Sequence, residues 1–458
     1  MENVAIVLAA GIGKRMHSDL PKVMHKICGR EMVLYPIDAV KSANFGRVIV
    51  VISERMDKSV FKGVDIAYQN VPLGTGDAAK KGLDKVKLLP NDANILILTG
   101  DNPLVKSSDI EKFYNAFIES RSDAMLVSAD AENPQGLGRI IKNGDVFERI
   151  VEEKDATEQQ KKIKEINTGI YLFKKGALEK GLSMLSNDNA QGEYYLTDTL
   201  YYLKNKGFKV GVYKLERMLP IYGVNTRLEL SIAEKIIQRE ILERLMLSGV
   251  TIVNPDSVSI EFDVKIGNDT IIYPGTLIQG KTAIGKGCSI GPNTRIINAE
   301  IGDGTSIQFS VVMESKIGAN CTIGPFSYVR PGNVFESNVK IGTFVEVKKS
   351  KVDENSKIPH LSYIGDATIG KNVNIGAGTI TCNFSGLEGP HKKNSTTIED
   401  NVFIGSHSTL VAPVVIHKNA YTAAGSVITR EVPEWALAIG RSKQVNKEEW
   451  VKRRKRNV

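Results

Sequence analysis

Two groups of residues in this 458-residue chain have types and spacings suited to chemistry. The first is Leu8-Ala9-Ala10-Gly11-Ile12-Gly13-Lys14-Arg15-Met16, in which small residues directly follow an apolar run and lead into cations. Small residues let the backbone approach a nucleotide closely, and Arg15 with the later Lys22 can neutralise phosphate charge. A second apolar run ends in Leu98-Thr99-Gly100-Asp101. A carboxylate at the end of a buried strand is a usual place for a Mg2+ ligand beside substrate phosphates, and the plainer reading, Asp101 as the cap of the next helix, stands beside it. The other group is Pro359-His360-Leu361-Ser362-Tyr363-Ile364-Gly365-Asp366, followed by Asn374-Ile375-Gly376-Ala377-Gly378-Thr379-Ile380-Thr381-Cys382-Asn383. An amine that accepts an acyl group must first lose a proton, and a positioned histidine is the natural general base, which singles out His360.

The elements needed to position these residues are legible in the pattern of apolar side chains. Residues 4 to 10 read as a buried strand, with further strands at Val48–Ile52 and Ile95–Leu98 and a helix-like stretch from Asp109 to Glu119. Alternation of this kind predicts a mainly parallel, doubly wound sheet, with ligands outside the carboxyl ends of the strands, where Gly11 and Asp101 fall. Residues 227 to 248 lack Gly and Pro and read as one helix closed by Gly249, which either joins two halves or packs on the first.

Beyond Gly249 an aliphatic residue recurs at every sixth position, as at Ile284 and Ile290, at Ile317, Ile323 and Val329, and at Ile398, Ile404, Leu410 and Ile416, often with Gly next to it. This is the hexapeptide pattern of a parallel β-helix, and it accounts for the excess of glycine in a chain that has 41. Residues 384 to 395 break the register and predict an outward loop. The expected division is thus 1–226, a linking helix at 227–248, and 249–458.

Bulk properties narrow the function. A formal charge of +8, part of it in the tail Lys452-Arg453-Arg454-Lys455-Arg456, suits acidic small molecules at least as well as nucleic acid. Cys28, Cys288, Cys321 and Cys382 show neither metal-ligand spacing nor a disulfide framework, which predicts free thiols in a reducing compartment. With no leader-like start and no membrane-length apolar stretch, a cytoplasmic protein without membrane insertion is expected.

The run from Leu8 to Met16 with Pro21-Lys22 resembles the signature of sugar-phosphate nucleotidyltransferases. Gln69, Leu73-Gly74-Thr75-Gly76, Gly136-Leu137-Gly138-Arg139, Val151-Glu152-Glu153-Lys154, Glu165-Ile166-Asn167-Thr168-Gly169, Gln191 to Asp198 and Gly223-Val224-Asn225 follow in that family's order. Together with the repeat and the His360 segment, nearly the whole chain resembles the bacterial bifunctional N-acetylglucosamine-1-phosphate uridyltransferases / glucosamine-1-phosphate acetyltransferases. The resemblance implies a Rossmann-like first domain, a left-handed β-helix and a homotrimer with no nucleic-acid partner. It also implies synthesis of UDP-N-acetylglucosamine, a precursor of peptidoglycan and lipopolysaccharide, from UTP, acetyl-CoA, glucosamine 1-phosphate and N-acetylglucosamine 1-phosphate.

By the same resemblance Leu8, Ala9, Ala10, Gly11, Gln69, Gly74 and Thr75 hold the uracil and ribose. Arg15 and Lys22 act on phosphate, and Thr99, Gly100 and Asp101 line the same site. Gly138, Glu152 and Asn167 hold the sugar, and Asp101 and Asn225 bind Mg2+. In the second half Arg330, Lys348, Tyr363 and Asn374 are implied for the amino-sugar phosphate. Ala377, Asn383, Phe384, Ser406, Ala424 and Arg441 are implied for acetyl-CoA, with Lys393 near its phosphates. Phe384 stands where the family commonly has Tyr, so a hydroxyl contact is lost there.

Two other readings use the same features. One is a nucleotidyltransferase whose β-helix only assembles it, against which the His360 segment speaks. The other is a scaffold without catalysis, which has no need of Arg15, Lys22, Asp101 and Asn225 together.

Overall fold

The computed structural model describes residues 2–144, 146–216, 219, 222–386 and 393–455. They form two compact units, Met1–Ile237 and Gln238–Val458, and the division falls inside the helix Arg227–Leu247 and not at either of its ends.

In the first unit the apolar runs form strands because their side chains alternate between two buried faces. Ala5, Val7 and Ala9 join one apolar cluster and Val4, Ile6 and Leu8 the other. The helices Leu34–Ser42 and Ser107–Ser120 cover the first face, through Ile37, Val40, Ile110, Phe113 and Phe117. The second face is covered by Thr75–Leu83, Lys175–Leu182 and Asp198–Asn205. In spatial order the sheet runs Val210–Lys214, Ala124–Asp130, Glu165–Lys174, Asn94–Thr99, Asn3–Leu8, Arg47–Ile52 and Asp65–Tyr68. Only Glu165–Lys174 is antiparallel to its neighbours along this path. Its pairing with Ala124–Asp130 shifts register between Asn167 and Tyr171, a bulge of the kind that re-aims side chains beside a site.

The helix Arg227–Leu247 ends as the sequence predicts. Gly249, at φ +95°, donates to the Met246 carbonyl at 3.1 Å, and Val250 donates to that of Leu245 at 3.1 Å. These two bonds make a Schellman cap, which needs the left-handed conformation that glycine adopts without strain.

The second unit is a left-handed parallel β-helix built from three sheets of 11, 10 and 9 short strands. Successive sixth positions point inward on successive sheets: Ile284 lies on the nine-stranded sheet, Ile290 on the eleven-stranded and Ile296 on the ten-stranded. One coil later the pattern returns, so Ile290, Ile307, Ile323, Ile341 and Ile358 form one fully buried column. Glycine follows the aliphatic residue because the next coil passes too close for a side chain: a Cβ on Gly405 would lie 2.5 Å from the Thr422 carbonyl oxygen. Residues 387 to 392 of the expected outward loop lie outside the described residues; its base is closed by Asn394 donating to the Asn383 carbonyl at 2.9 Å.

Candidate active sites

Strand register places the proposed nucleotide residues along one edge of the first sheet. Leu8 pairs with Thr99, so Ala9, Ala10 and Gly11 leave their strand beside Gly100 and Asp101, and Gly100 donates to the Leu8 carbonyl at 2.8 Å. Gln69 leaves the edge strand on the same side, and Asn167 to Gly169 enter theirs there. Gly13 adopts φ +73°, and any Cβ on it would overlap Lys22 Cβ at 2.4 Å, so only glycine lets the Lys22 arm lie where it does.

The centre of this edge is a three-residue cluster. Lys22 Nζ donates to Asp101 Oδ2 and, at 2.9 Å, to Asn225 Oδ1. Burial pushes the Asp101 carboxyl up, but the Lys22 charge beside it and hydrogen bonds from Lys22 and Thr99 prevail and hold it below the usual carboxylate range. Asn225 is fixed from behind by Glu229, whose Oε2 accepts from the Asn225 N–H at 2.7 Å and the Thr226 N–H at 2.8 Å. With Glu229 N–H donating to Thr226 Oγ1 at 3.2 Å, this is a capping box at the start of the helix. The spacing Thr226-x-x-Glu229 carried that signal in the sequence, but its role in fixing Asn225 emerges only from the fold. Arg227, the next residue, donates to the Met16 carbonyl at 3.3 Å and bonds His25 Nδ1 at 3.2 Å, tying the cationic segment to the Asn225 segment.

Among the residues expected at the uracil, Gln69 Nε2 donates to the Gly74 carbonyl at 3.0 Å and to Asp77 at 2.9 Å. The Gly74-Thr75 turn is zipped to the segment after Gln191: Tyr194 donates to the Leu73 carbonyl, Gly76 to that of Tyr194, and Leu196 to Thr75 Oγ1. Among the residues expected at the sugar, Asn167 N–H donates to the Gly138 carbonyl at 2.9 Å, and a Cβ on Gly138 would lie 3.4 Å from both carboxylate oxygens of Glu152. Burial pushes the Glu152 carboxyl up, aided by Asp198 and Asp155 and opposed by a hydrogen bond from Thr197. Tyr171 accepts from Asn167 Nδ2 at 2.7 Å, a contact the sequence did not reveal. Arg15 is exposed, its Nη1 3.5 Å from where a Gly136 Cβ would stand.

In the β-helix most of the candidate site residues form columns. Thr343 pairs with His360, and the His360, Ala377 and Ser406 carbonyls accept from Gly378, His407 and Gly425, residues that occupy one corner on successive coils. His360, Ala377, Ser406 and Ala424 are thus four successive copies of a single corner position. Arg441 reaches the same corner, its Cδ 3.8 Å from where a Gly425 Cβ would stand. Arg330 and Lys348 are neighbouring copies of one outward position on the ten-stranded sheet, where Gly365 comes next and leaves a gap filled by the Tyr363 hydroxyl and the Asn383 amide. Arg330 Nη1 pairs with Glu346 at 2.8 Å, and Asn383 Nδ2 donates to Asp366. Asn374 stands apart from these, on the eleven-stranded sheet that also carries His360. Phe384 is half-exposed, with Lys393 Nζ 3.5 Å from its ring centre, so the position without a hydroxyl makes a cation–π contact. The basic tail includes the exposed helix Trp450–Lys455, whereas Arg456 lies outside the described residues.

A Rossmann-like sheet whose edge gathers a lysine, a carboxylate and an amide, joined to a hexapeptide β-helix, defines a two-part transferase. The MobA-like NTP transferase domain family matches residues 5–166, and the bacterial transferase hexapeptide family matches residues 263–298 and 395–430. The chain is 49% identical to the bifunctional protein GlmU of Caldanaerobacter subterraneus subsp. tengcongensis, with 99% of this chain and 98% of that one covered. It is 50% identical to that of Thermoanaerobacter pseudethanolicus (98% of each) and 47% identical to that of Clostridioides difficile (98% and 97%). The chain belongs to the GlmU family: it is a bifunctional enzyme of UDP-N-acetylglucosamine synthesis, a nucleotidyltransferase joined to an acetyltransferase.

Proposed function

We propose that the β-helix acetylates glucosamine 1-phosphate and that the sheet domain then transfers a uridylyl group from UTP to the resulting N-acetylglucosamine 1-phosphate. In the first reaction His360 takes a proton from the substrate amine as its nitrogen attacks the thioester carbonyl of acetyl-CoA, and coenzyme A leaves as the thiol. Arg330 and Lys348 bind the sugar phosphate by charge-assisted hydrogen bonds, with Tyr363 and Asn374 on the sugar. Acetyl-CoA lies along Ala377, Ser406 and Ala424 toward Arg441, with Asn383 and Phe384 beside it. The observation that carries this reading is the column itself, which puts the base and three small residues on one corner. A β-helix that served only for assembly has no use for it.

In the second reaction a phosphate oxygen of N-acetylglucosamine 1-phosphate attacks the α-phosphorus of UTP in line, and pyrophosphate departs on the opposite side. Little covalent chemistry is asked of the protein, so positioning and charge neutralisation by Arg15 and Lys22 dominate. The residues suit Mg2+: Asp101 and Asn225 offer one carboxylate and one amide oxygen, hard ligands already converging on a single cation, the Lys22 ammonium. When bound there, Mg2+ supplies neutralisation of phosphate charge.

We also infer a homotrimer. One corner of the β-helix carries Phe309, Phe326, Phe344 and Leu361 on successive coils, all at φ between +46° and +59° and all at least 36% exposed. Large apolar residues in the left-handed region carry strain of order 1–3 kcal/mol each. A second copy of the chain covering that ladder, which ends beside His360, would offset it. A cytoplasmic setting is supported by four cysteines that form no disulfide, three of them buried, and no helix among the described residues is long and apolar enough to cross a membrane. Incubating the protein with glucosamine 1-phosphate, acetyl-CoA, UTP and Mg2+, each omitted in turn, tests the scheme. UDP-N-acetylglucosamine formed without acetyl-CoA would overturn it.

A further inference from the structure

We propose that Lys22 is the resident cation of the divalent-metal position, so that a metal ion enters only when the Lys22 ammonium leaves it for nucleotide phosphate. This deepens the reading of Asp101 and Asn225 as metal ligands and rests on it. One oxygen of each proposed ligand, Asp101 Oδ2 and Asn225 Oδ1, accepts from the one Nζ atom, and the Lys22 and Asp101 side chains are only 14% and 17% exposed.

The two oxygens are held from outside the cluster. Asp101 follows a central strand, and its carbonyl accepts from the Val224 N–H at 2.8 Å, which ties it to the residue just before Asn225. Asn225 is pinned by the Glu229 carboxylate, which also accepts from the Thr226 hydroxyl at 3.1 Å. The ligands therefore keep their spacing with or without a metal, whereas the lysine sits on four rotatable methylenes. Two cations have no room between one carboxylate and one amide. An incoming nucleoside triphosphate offers the ammonium a new anionic partner, which frees both oxygens at the moment a divalent ion is required. Lys22 thus makes metal loading follow nucleotide arrival, and metal alone binds weakly.

The test uses the full chain and Mn2+ as probe, with free Mn2+ counted by its paramagnetic resonance signal in the absence of nucleotide. Charge-assisted hydrogen bonds are worth enough that Lys22→Met should bind Mn2+ at least about tenfold more tightly than the unaltered protein, although its pyrophosphate release falls. Lys22→Gln, which keeps a polar group, should show the same direction and guards against misfolding of the first variant. Adding Glu229→Ala to Lys22→Met should reverse the gain, and adding Glu229→Gln, whose amide oxygen still accepts, should restore most of it. Equal or weaker Mn2+ binding by both Lys22 variants, with that binding still abolished by Asp101→Asn, would overturn the role of Lys22 alone. Mn2+ binding in Lys22→Met that Asp101→Asn leaves unchanged would overturn the metal-ligand reading itself.

Discussion

Lys22 meets Asp101 and Asn225 across 79 and 203 residues of sequence, whereas in the β-helix the positions proposed for base and acyl donor recur from coil to coil at one corner. The sheet domain gains precision through separate long-range devices: a strand end for Asp101, a capping box for Asn225, a glycine that makes way for Lys22. Each is a single contact set whose loss displaces one group. The β-helix gains precision from repetition, because a residue's place in the hexapeptide fixes its face and its coil number fixes its height. A substitution at an outward position there leaves the frame intact and changes only what projects from it. The first architecture suits a site that must gather and exchange cations; the second suits a long, thin co-substrate lying across several coils.

That contrast is sharpest where one activity is removed cleanly. Asp101→Asn is expected to abolish Mg2+-dependent pyrophosphate release and to leave acetyl transfer near normal; equal loss of both, measured in parallel, would break the separation. His360→Ala should slow acetylation about 10²- to 10⁴-fold, the usual worth of a general base, with the loss in turnover and not in the Michaelis constant. Free thiol released from acetyl-CoA reports it, and a rate equal to that of the unaltered enzyme would leave His360 a corner residue.

A smaller effect is expected from Phe326→Ser combined with Phe344→Ser, which removes the two stacked rings at the centre of the apolar ladder. Sedimentation should shift toward smaller species and acetyl transfer should fall, while uridylyl transfer persists. An unchanged assembly would assign the ladder elsewhere. The smallest effect concerns Glu152, whose carboxyl is pushed up by burial. A raised carboxyl makes the folded state less favourable as pH climbs from the ordinary glutamate value through the raised one. Glu152→Gln should therefore raise the melting temperature at neutral pH, by roughly 2–4 °C for each kcal/mol relieved, and the gain should vanish at acid pH. Melting curves at both ends of that range decide it, and sugar binding should weaken in the same variant.

How much of this was legible in the sequence also differs between the regions. The period of six foretold the β-helix and its inward column, since repetition encodes position directly. In the first half the strands at residues 4–10, 48–52 and 95–98 were readable from their apolar runs, which lie within one or two residues of Asn3–Leu8, Arg47–Ile52 and Asn94–Thr99. The antiparallel strand Glu165–Lys174 in the middle of the sheet was not, because strand direction is decided by chain routing and not by local pattern. The pairing of Lys22 with its two oxygens, the Glu229 brace and the Tyr171 contact were hidden for the same reason: each joins segments that no local spacing relates. Arg330, Lys348 and Asn374 were named together, yet Asn374 lies on a different sheet from the other two, a distinction that only counting positions within each coil would reveal.

The central claim, that two sites on one chain work as separate machines in sequence, is tested most directly by mixing two inactive variants. Asp101→Asn alone should turn glucosamine 1-phosphate into N-acetylglucosamine 1-phosphate and stop, and His360→Ala alone should make almost nothing from glucosamine 1-phosphate. Mixed, with acetyl-CoA, UTP and Mg2+ present, they should produce UDP-N-acetylglucosamine at a rate set by the two intact sites. No product from the mixture, with both variants folded, would contradict the account.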